Sequence, residues 1–193
     1  MSSLTLYQRL GNRLGEARTH QSLGVLAQHQ GRCADALGHA EQALRLCQEA
    51  GDKAGEASAL NDVGWCHGLL SDYQQARVLC RQALALSADL DYRGLEGSAW
   101  ANLGYAEHRL GNLAAAAACY QRSLSIAREA GARFHEAGTL THLGDARHAA
   151  GEQAQARDAW QQALAILDDM QHPDADHVRA RLASAYGVVT PAP

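Results

Sequence analysis

Apolar residues recur along the chain at spacings of three and four, which is the periodicity of an α-helix. Leu60 and Val63 mark one face of a first helix, and Leu79 and Ala83 mark one face of a second helix. A short turn at Ser71 separates the two. This arrangement predicts a helical hairpin, in which two antiparallel helices pack through their apolar faces.

The same hydrophobic pattern repeats with a fixed period of 40 residues, shown by the glycines at 24, 64, 104 and 144. A period of this size is typical of a repeat array in which each unit buries its apolar face against its neighbours. We expect first helices at about 13–30, 53–70, 93–110 and 133–150, and second helices at about 33–49, 73–89, 113–129 and 153–170.

The two ends of the chain depart from this pattern. Leu4 and Leu6 align with Leu44 and Leu46, so residues 1–12 are interpreted as the tail of a preceding repeat helix. Pro173 is expected to end the array, because the residue before a proline is disfavoured in the helical region. The expected units are repeats at 13–50, 51–90, 91–130 and 131–170, a capping helix at 171–187 and a disordered tail at 188–193. In the capping helix, Arg179 and Arg181 are expected to face water.

Composition narrows the classes of function. The net charge is −4 and no basic block is present, so direct nucleic-acid contact by this segment is not expected. The sequence contains no run of about 18 apolar residues, so no membrane span is predicted. Five cysteines without a CxxC pair favour reduced thiols and a cytoplasmic location. No pair of residues in the sequence suggests nucleophilic catalysis. We therefore predict that the chain is not an enzyme and that it binds no cofactor and no metal ion.

The repeat unit resembles the tetratricopeptide repeat (TPR). The second unit carries the pattern as Val63-Gly64, His67, Ser71, Tyr73, Ala76, Cys80 and Ala83-Leu84. The resemblance implies an all-α TPR solenoid, a right-handed superhelix of antiparallel helix hairpins with a C-terminal capping helix. This chain departs from the common pattern in its 40-residue period and in small residues at many aromatic positions, which predicts thinner packing.

A second resemblance concerns the amino-acid sequence of the last repeat and the segment that follows it. Residues 139–145, 163–168 and 172–175 resemble the C-terminal repeat region of actinobacterial transcriptional regulators of the Streptomyces antibiotic regulatory protein (SARP) type and related NTPase-containing activators. That resemblance implies a sensor or regulatory segment of a larger transcriptional regulator. Neither a GxxxxGK[ST] loop nor a helix-turn-helix occurs in this sequence.

The first helices of a TPR array line its concave face, where a groove with aromatic, amide and charged groups suits a protein or peptide partner. Trp65 and Tyr105 occupy equivalent positions and are expected to serve as anchors on adjacent helices. The predicted groove residues are Arg18, Gln21, Asn61, Asp62, Trp65, Asn102, Tyr105, His108, Arg109, Thr141, His142, Asp145 and His148.

Several alternatives stay open at this point. The groove could instead close on a small molecule or signal peptide, or residues 2–10 could pair with a second copy of the chain. A clamp for a C-terminal carboxylate is rejected, because Asp62 and Asp145 would repel it. His108 and His148 are equivalent and could approach each other, but no known metal-ligand spacing is present, so solvated or hydrogen-bonded histidines are favoured.

Overall fold

The computed structural model describes residues 3–185, and all regular secondary structure in that range is α-helical. Hairpins of a first and a second helix follow one another along the chain, preceded and followed by a shorter helix. The helices of the described range are α1 Ser3–Leu10, α2 Arg13–His29, α3 Cys33–Ala50, α4 Lys53–Leu69, α5 Tyr73–Asp89, α6 Arg93–Arg109, α7 Leu113–Glu129, α8 Arg133–Ala149, α9 Gln153–Asp169 and α10 Ala175–Ala185.

The positions of the hairpin helices confirm the helix predictions from the sequence, since each begins and ends within one residue of the expected bounds. Helix α10 likewise lies inside the segment expected to cap the array. The first two residues, the end of the expected capping segment and the expected tail at 188–193 lie outside the described residues.

Local capping and turn chemistry fix these helix ends. Asn12 and Asp52 each accept a hydrogen bond from the backbone N–H three residues later, at 2.9 and 3.0 Å, which satisfies a free donor of the first turn. Each connecting turn contains a residue in the left-handed region. Gly51 takes it without strain at φ 69°, whereas Ser71 adopts the same conformation at φ 67°.

The hairpins stack so that the first helices form the inner layer. Helices α2, α4, α6 and α8 contact one another across successive hairpins, whereas within residues 3–185 no two second helices make contacts of similar extent. An array whose first helices approach more closely than its second helices curves towards the first helices. The face formed by α2, α4, α6 and α8 is therefore the concave face of the solenoid.

Glycines allow the two helices of a hairpin to approach closely. A Cβ atom added to Gly104 would lie 2.8 Å from the Tyr120 ring, and one added to Gly144 would lie 2.4 Å from the Trp160 ring. In the second hairpin the equivalent neighbour is the smaller Cys80, at 3.0 Å from a Cβ on Gly64. A small residue therefore faces this glycine in the second hairpin, whereas large rings face it in the third and fourth hairpins.

Two chemical features of the sequence have a simple structural outcome. All five cysteines are free, and Cys47, Cys66, Cys80 and Cys119 are buried among apolar side chains. Within residues 3–185, none of the helices combines the length and hydrophobicity that a membrane span needs.

Candidate functional site on the concave face

A cavity opens on the concave face between α4, α6 and α8, and we call it the ring cavity. Its volume is about 350 Å³, and side chains with aromatic or imidazole rings line most of it. Helix periodicity directs these residues to one side of each first helix, because positions three and four apart share a face. The lining residues are Trp65, Ala101, Asn102, Tyr105, Phe134, His135, Gly138, Thr139 and His142.

Tyr105 lies at the centre of a group of rings. Its ring centroid is 5.3 Å from that of Trp65, 5.9 Å from that of His142 and 6.3 Å from that of Tyr73, each in an edge-to-face arrangement. Such geometry is favourable for ring quadrupoles and also limits rotation of the side chains. The predicted pairing of Trp65 with Tyr105 across neighbouring helices is thus present in the structure.

Arg109 extends this group at the C-terminal end of α6. Its guanidinium carbon lies 4.9 Å from the centroid of the Tyr73 ring and 5.9 Å from that of Tyr105. The side chain is exposed, and within residues 3–185 it has no carboxylate partner. Stacking on two tyrosines holds the positive charge in a defined position beside the ring cavity.

Two predicted groove amides are joined to each other. The Asn102 Nδ2 donates a hydrogen bond of 3.0 Å to the Asn61 Oδ1, which links α6 to α4. Asn61 is buried, whereas Asn102 is partly exposed and lines the ring cavity. The hydrogen bond therefore joins the two helices beside the ring cavity.

His142 separates the ring cavity from a neighbouring one. Its ring stacks on Tyr120 with centroids 6.0 Å apart, and Tyr120 is fully buried with its hydroxyl lacking a partner within residues 3–185. Burial lowers the pKa of His142; Asp145 opposes this, and Arg181 and His108 add to it. The imidazole is therefore neutral near pH 7.

Asp145 does not act as a free groove carboxylate. Its Oδ1 accepts hydrogen bonds from the Trp160 Nε1 at 3.0 Å and from the Arg181 Nε at 2.7 Å. Arg179 is exposed to solvent, as expected, and is also hydrogen-bonded to Asp168. Arg181 was expected to face water as well, but it is only partly exposed because it pairs with Asp145. Both arginines attach α10 to the last hairpin, since carboxylates of α8 and α9 pair with them.

A second cavity, which we call the capping cavity, lies between α8 and α10. It measures about 420 Å³ and shares Phe134, Gly138 and His142 with the ring cavity. The predicted groove residue Thr141 lines it as well, together with Arg181. The two cavities therefore adjoin at α8, on either side of His142.

The remaining predicted residues do not join this site. Arg18 and Gln21 line a separate cavity of about 260 Å³ beside α4. His148 turns towards α9, where its Nδ1 lies 2.8 Å from the Gln153 Oε1, and burial lowers the pKa of His108. Within the described residues, no group of three or more metal-ligating side chains converges.

Asp62 is a special case among the predicted residues. It is partly buried, and within residues 3–185 it has no hydrogen-bond or ion-pair partner. Burial raises the pKa of this carboxyl to about 6. The buried carboxyl therefore binds a proton more readily than an exposed aspartate does.

Some residues of the site were missed by the sequence reasoning. Phe134 and Gly138 precede His142 by eight and four residues, so helical periodicity counted back from His142 would have found both. Tyr73 begins a second helix rather than a first helix, so a search confined to first helices could not include it.

Sequence comparison gives a family. A family model described as Tetratricopeptide repeat matches residues 15–89 and 95–169, which is most of the chain. No curated protein matches the chain significantly.

Solved structures show the same architecture at low sequence identity. BtubC (BKLC) from P. vanneervenii matches with a TM-score of 0.81 at 18% identity, over 96% of this chain and 80% of that one. A Rap protein complexed with Competence and Sporulation Factor matches with a TM-score of 0.81 at 16% identity, over 94% of this chain and 52% of that one. A Podosopora anserina kinesin light chain with TPR-like repeats matches with a TM-score of 0.69 at 18% identity, over 89% of this chain and 85% of that one. The chain thus spans about half the length of the Rap protein, and these likenesses establish the fold alone.

Proposed function

This chain belongs to the tetratricopeptide repeat family, and on that premise we propose that it is a non-catalytic scaffold whose concave face binds a protein or peptide segment. Arrays of this kind present an extended concave surface to their partners. The binding site that we propose is the ring cavity with the residues around it.

The ring cavity is the observation that carries this proposal. Trp65, Tyr105 and Phe134 all line it, and Phe134 is 51% exposed although it is a large apolar residue. Aromatic side chains are enriched at the centres of protein interfaces because they bury a large area with few rotatable bonds. The structurally similar Rap protein was solved in a complex with Competence and Sporulation Factor, which supports binding of a partner as the function of this architecture.

The setting that we propose is the cytoplasmic regulatory or sensor segment of a larger transcriptional regulator. The support is the resemblance of residues 139–145, 163–168 and 172–175 to the repeat region of the SARP-type regulators. The full reading frame tests this part, because a DNA-binding or NTPase domain upstream of the repeats is expected. A reading frame that encodes only repeats would contradict it.

Selection of peptides from a displayed random dodecapeptide library tests the binding function. Peptides that bind the full chain should lose at least about 30-fold in affinity on Trp65→Ala and on Tyr105→Ala, since central aromatic anchors contribute about 2 kcal/mol or more. Val78→Ala is the control, because Val78 is exposed on a second helix. Circular dichroism should show unchanged helix content for all three variants. Peptides that bind both aromatic variants as tightly as the natural chain would refute a site on this face.

A small molecule or signal peptide is the alternative ligand. The observation that favours it is the size of the ring and capping cavities, about 350 and 420 Å³, which falls within the usual range for small-molecule sites of about 300–1,000 Å³. Thermal stabilisation by members of a metabolite collection, lost on filling the ring cavity by Gly138→Leu, would favour this alternative over a long peptide.

Self-association through residues 2–10 is the other alternative. Helix α1 has no buried residue, and Leu6 and Leu10 are 43% and 68% exposed. A second copy that covers these leucines would remove apolar surface from water. Sedimentation over a hundredfold range of concentration should then show a dimer that Leu6→Lys dissociates. A monomer at every concentration would exclude this role.

A further inference from the structure

The lining of the ring cavity carries no acidic or basic chain of the Asp, Glu, Lys or Arg type. A charged group that entered would lose hydration without gaining a counter-ion from the lining, which is unfavourable. Its walls are instead the rings of Trp65, Tyr105 and Phe134. Charge complementarity therefore favours an uncharged and largely apolar occupant.

A cationic occupant, such as a methylated lysine, is disfavoured by Arg109. Its guanidinium group already lies over Tyr73 and Tyr105, at 4.9 and 5.9 Å from the ring centroids. A second cation against Tyr105 would meet the repulsion of this charge. The rings next to Arg109 are thus suited to a neutral ring and not to an ammonium group.

His142 adds one polar requirement to this apolar site. Within residues 3–185 its ring nitrogens have no hydrogen-bond partner, although the ring lines both cavities and packs against Tyr105 and Tyr120. Burial lowers the pKa of His142, so the neutral ring offers one donor and one acceptor. Leaving such groups unpaired in a dry site is unfavourable, so an occupant with a hydrogen-bonding group is preferred over a purely apolar one.

Gly138 gives the occupant room. A Cβ atom added there would meet no atom within 4 Å, so the surface of α8 is open at this point. The equivalent positions in the preceding two hairpins are Ser58 and Ser98, which carry side chains. The absence of a side chain at Gly138 thus connects the ring cavity with the solvent-facing groove.

We propose that the ring cavity takes one tyrosine or tryptophan side chain of the bound partner, with its ring against Trp65, Tyr105 and Phe134 and its hydroxyl or indole N–H hydrogen-bonded to His142. This inference rests on the binding function proposed above. It states which chemistry the partner must present: a neutral aromatic ring that carries a hydrogen-bonding group.

Peptides selected on the full chain test the inference directly. We expect one position occupied by tyrosine or tryptophan in the selected sequences. In a synthetic peptide with tyrosine there, phenylalanine should weaken binding about fivefold, because one neutral hydrogen bond contributes about 1 kcal/mol. Leucine and trimethyllysine at that position should weaken binding by more than phenylalanine does. Isothermal titration calorimetry measures each affinity, and a tryptophan-containing peptide separates the indole from the phenol.

Protein variants locate the hydrogen bond. His142→Phe should bind the tyrosine and phenylalanine peptides equally, whereas His142→Gln, which keeps a donor and an acceptor, should restore the preference for tyrosine. Gly138→Leu should exclude both peptides, and leucine favours the helix. Thermal unfolding of each variant shows that the fold is retained, and the His142→Gln comparison stands even where His142→Phe fails to fold.

The outcomes separate the inference from the function. Selected peptides that require Trp65 but share no tyrosine or tryptophan would overturn the inference and leave the binding function intact. A preference for tyrosine that persists in His142→Phe would also overturn it. Peptides that ignore both Trp65→Ala and Gly138→Leu would overturn the inference and the concave site together.

Discussion

The first two hairpins differ from the last two in what packs near the repeated glycine of the first helix, at positions 24, 64, 104 and 144. At the aligned position of the second helix the residues increase in size from the first hairpin to the last: Ala40, Cys80, Tyr120 and Trp160. The last three pack against the glycine, whereas Gly24 lies nearest to Ala36 and His39. The large rings join a core that continues through α10, while the N-terminal cores are smaller and divided. The repeat motif therefore sets how closely the helices approach, but the facing residue sets how much apolar surface each hairpin buries.

The same halves differ in how they treat a carboxylate on the concave face. Asp145 is paired with Trp160 and Arg181, whereas Asp62 has no partner within residues 3–185 and its pKa is raised to about 6 by burial. The C-terminal half thus combines a large core with a hydrogen-bonded carboxylate, that of Asp145. The N-terminal half combines smaller cores with a carboxylate that has no partner within residues 3–185, that of Asp62. We expect the C-terminal half to be the more stable of the two.

The largest effect is expected on removing the ring that distinguishes the halves. Trp160→Ala should lower the free energy of unfolding by about 3–5 kcal/mol, because a buried ring is lost and a cavity remains. Cys80→Ala at the equivalent position should lower it by only about 1 kcal/mol. Urea denaturation followed by circular dichroism measures both. Equal losses would show that the halves do not differ in packing as described.

Next in size is the effect of removing the unpaired carboxylate. Since the folded-state pKa of Asp62 is raised, the folded state binds a proton more readily, and stability is lost as the pH rises from about 4 through about 6. Asp62→Asn should therefore stabilise the chain by up to roughly 3 kcal/mol at pH 8 and by little at pH 4, since each pKa unit is worth about 1.4 kcal/mol.

Asp145→Asn is the matched control for that change. It weakens the pairing with Arg181, so it should destabilise the chain at pH 8 and not stabilise it. Urea denaturation at pH 4 and pH 8 distinguishes the two variants. A pH-independent effect of Asp62→Asn would show that its charge is not the source of the instability.

The smallest effect has opposite signs in the two halves. Gly144→Ala places a Cβ 2.4 Å from Trp160, so overpacking should destabilise the chain by about 1–3 kcal/mol. At Gly24 the nearest atom would be 3.5 Å away, which is ordinary contact, so Gly24→Ala should stabilise by about 0.4–1 kcal/mol through helix propensity. Shifts of the melting temperature in opposite directions are expected, and a loss in both variants would contradict the looser packing of the first hairpin.

The fold could be predicted from the sequence because its determinants are local and repeated. The 40-residue spacing of Gly24, Gly64, Gly104 and Gly144 aligns four copies, and each copy supports the interpretation of the others. The helix bounds follow from the turns near residues 31, 71, 111 and 151, where the left-handed conformation recurs.

The site could be predicted only in part, because its contacts cross between repeats and leave the 40-residue register. Trp65 and Tyr105 were found because they are equivalent. The pairing of Asp145 with Arg181 involves α10, which matches no earlier unit, so no alignment could reveal it. The hydrogen bond between Asn102 and Asn61 depends on the angle between two first helices. The spacing of residues along the sequence does not determine that angle.

Contacts confined to neighbouring hairpins also determine how this chain acquires its structure. Within residues 3–185, the extensive contacts join helices that are adjacent or one hairpin apart in the sequence. This part of the chain therefore closes short loops as it folds, and its topology presents little kinetic barrier. The segment from α7 to α10 has the largest continuous core, so we expect folding to begin there and to extend towards α2. The ring cavity would then form where the early C-terminal nucleus meets the later N-terminal hairpins.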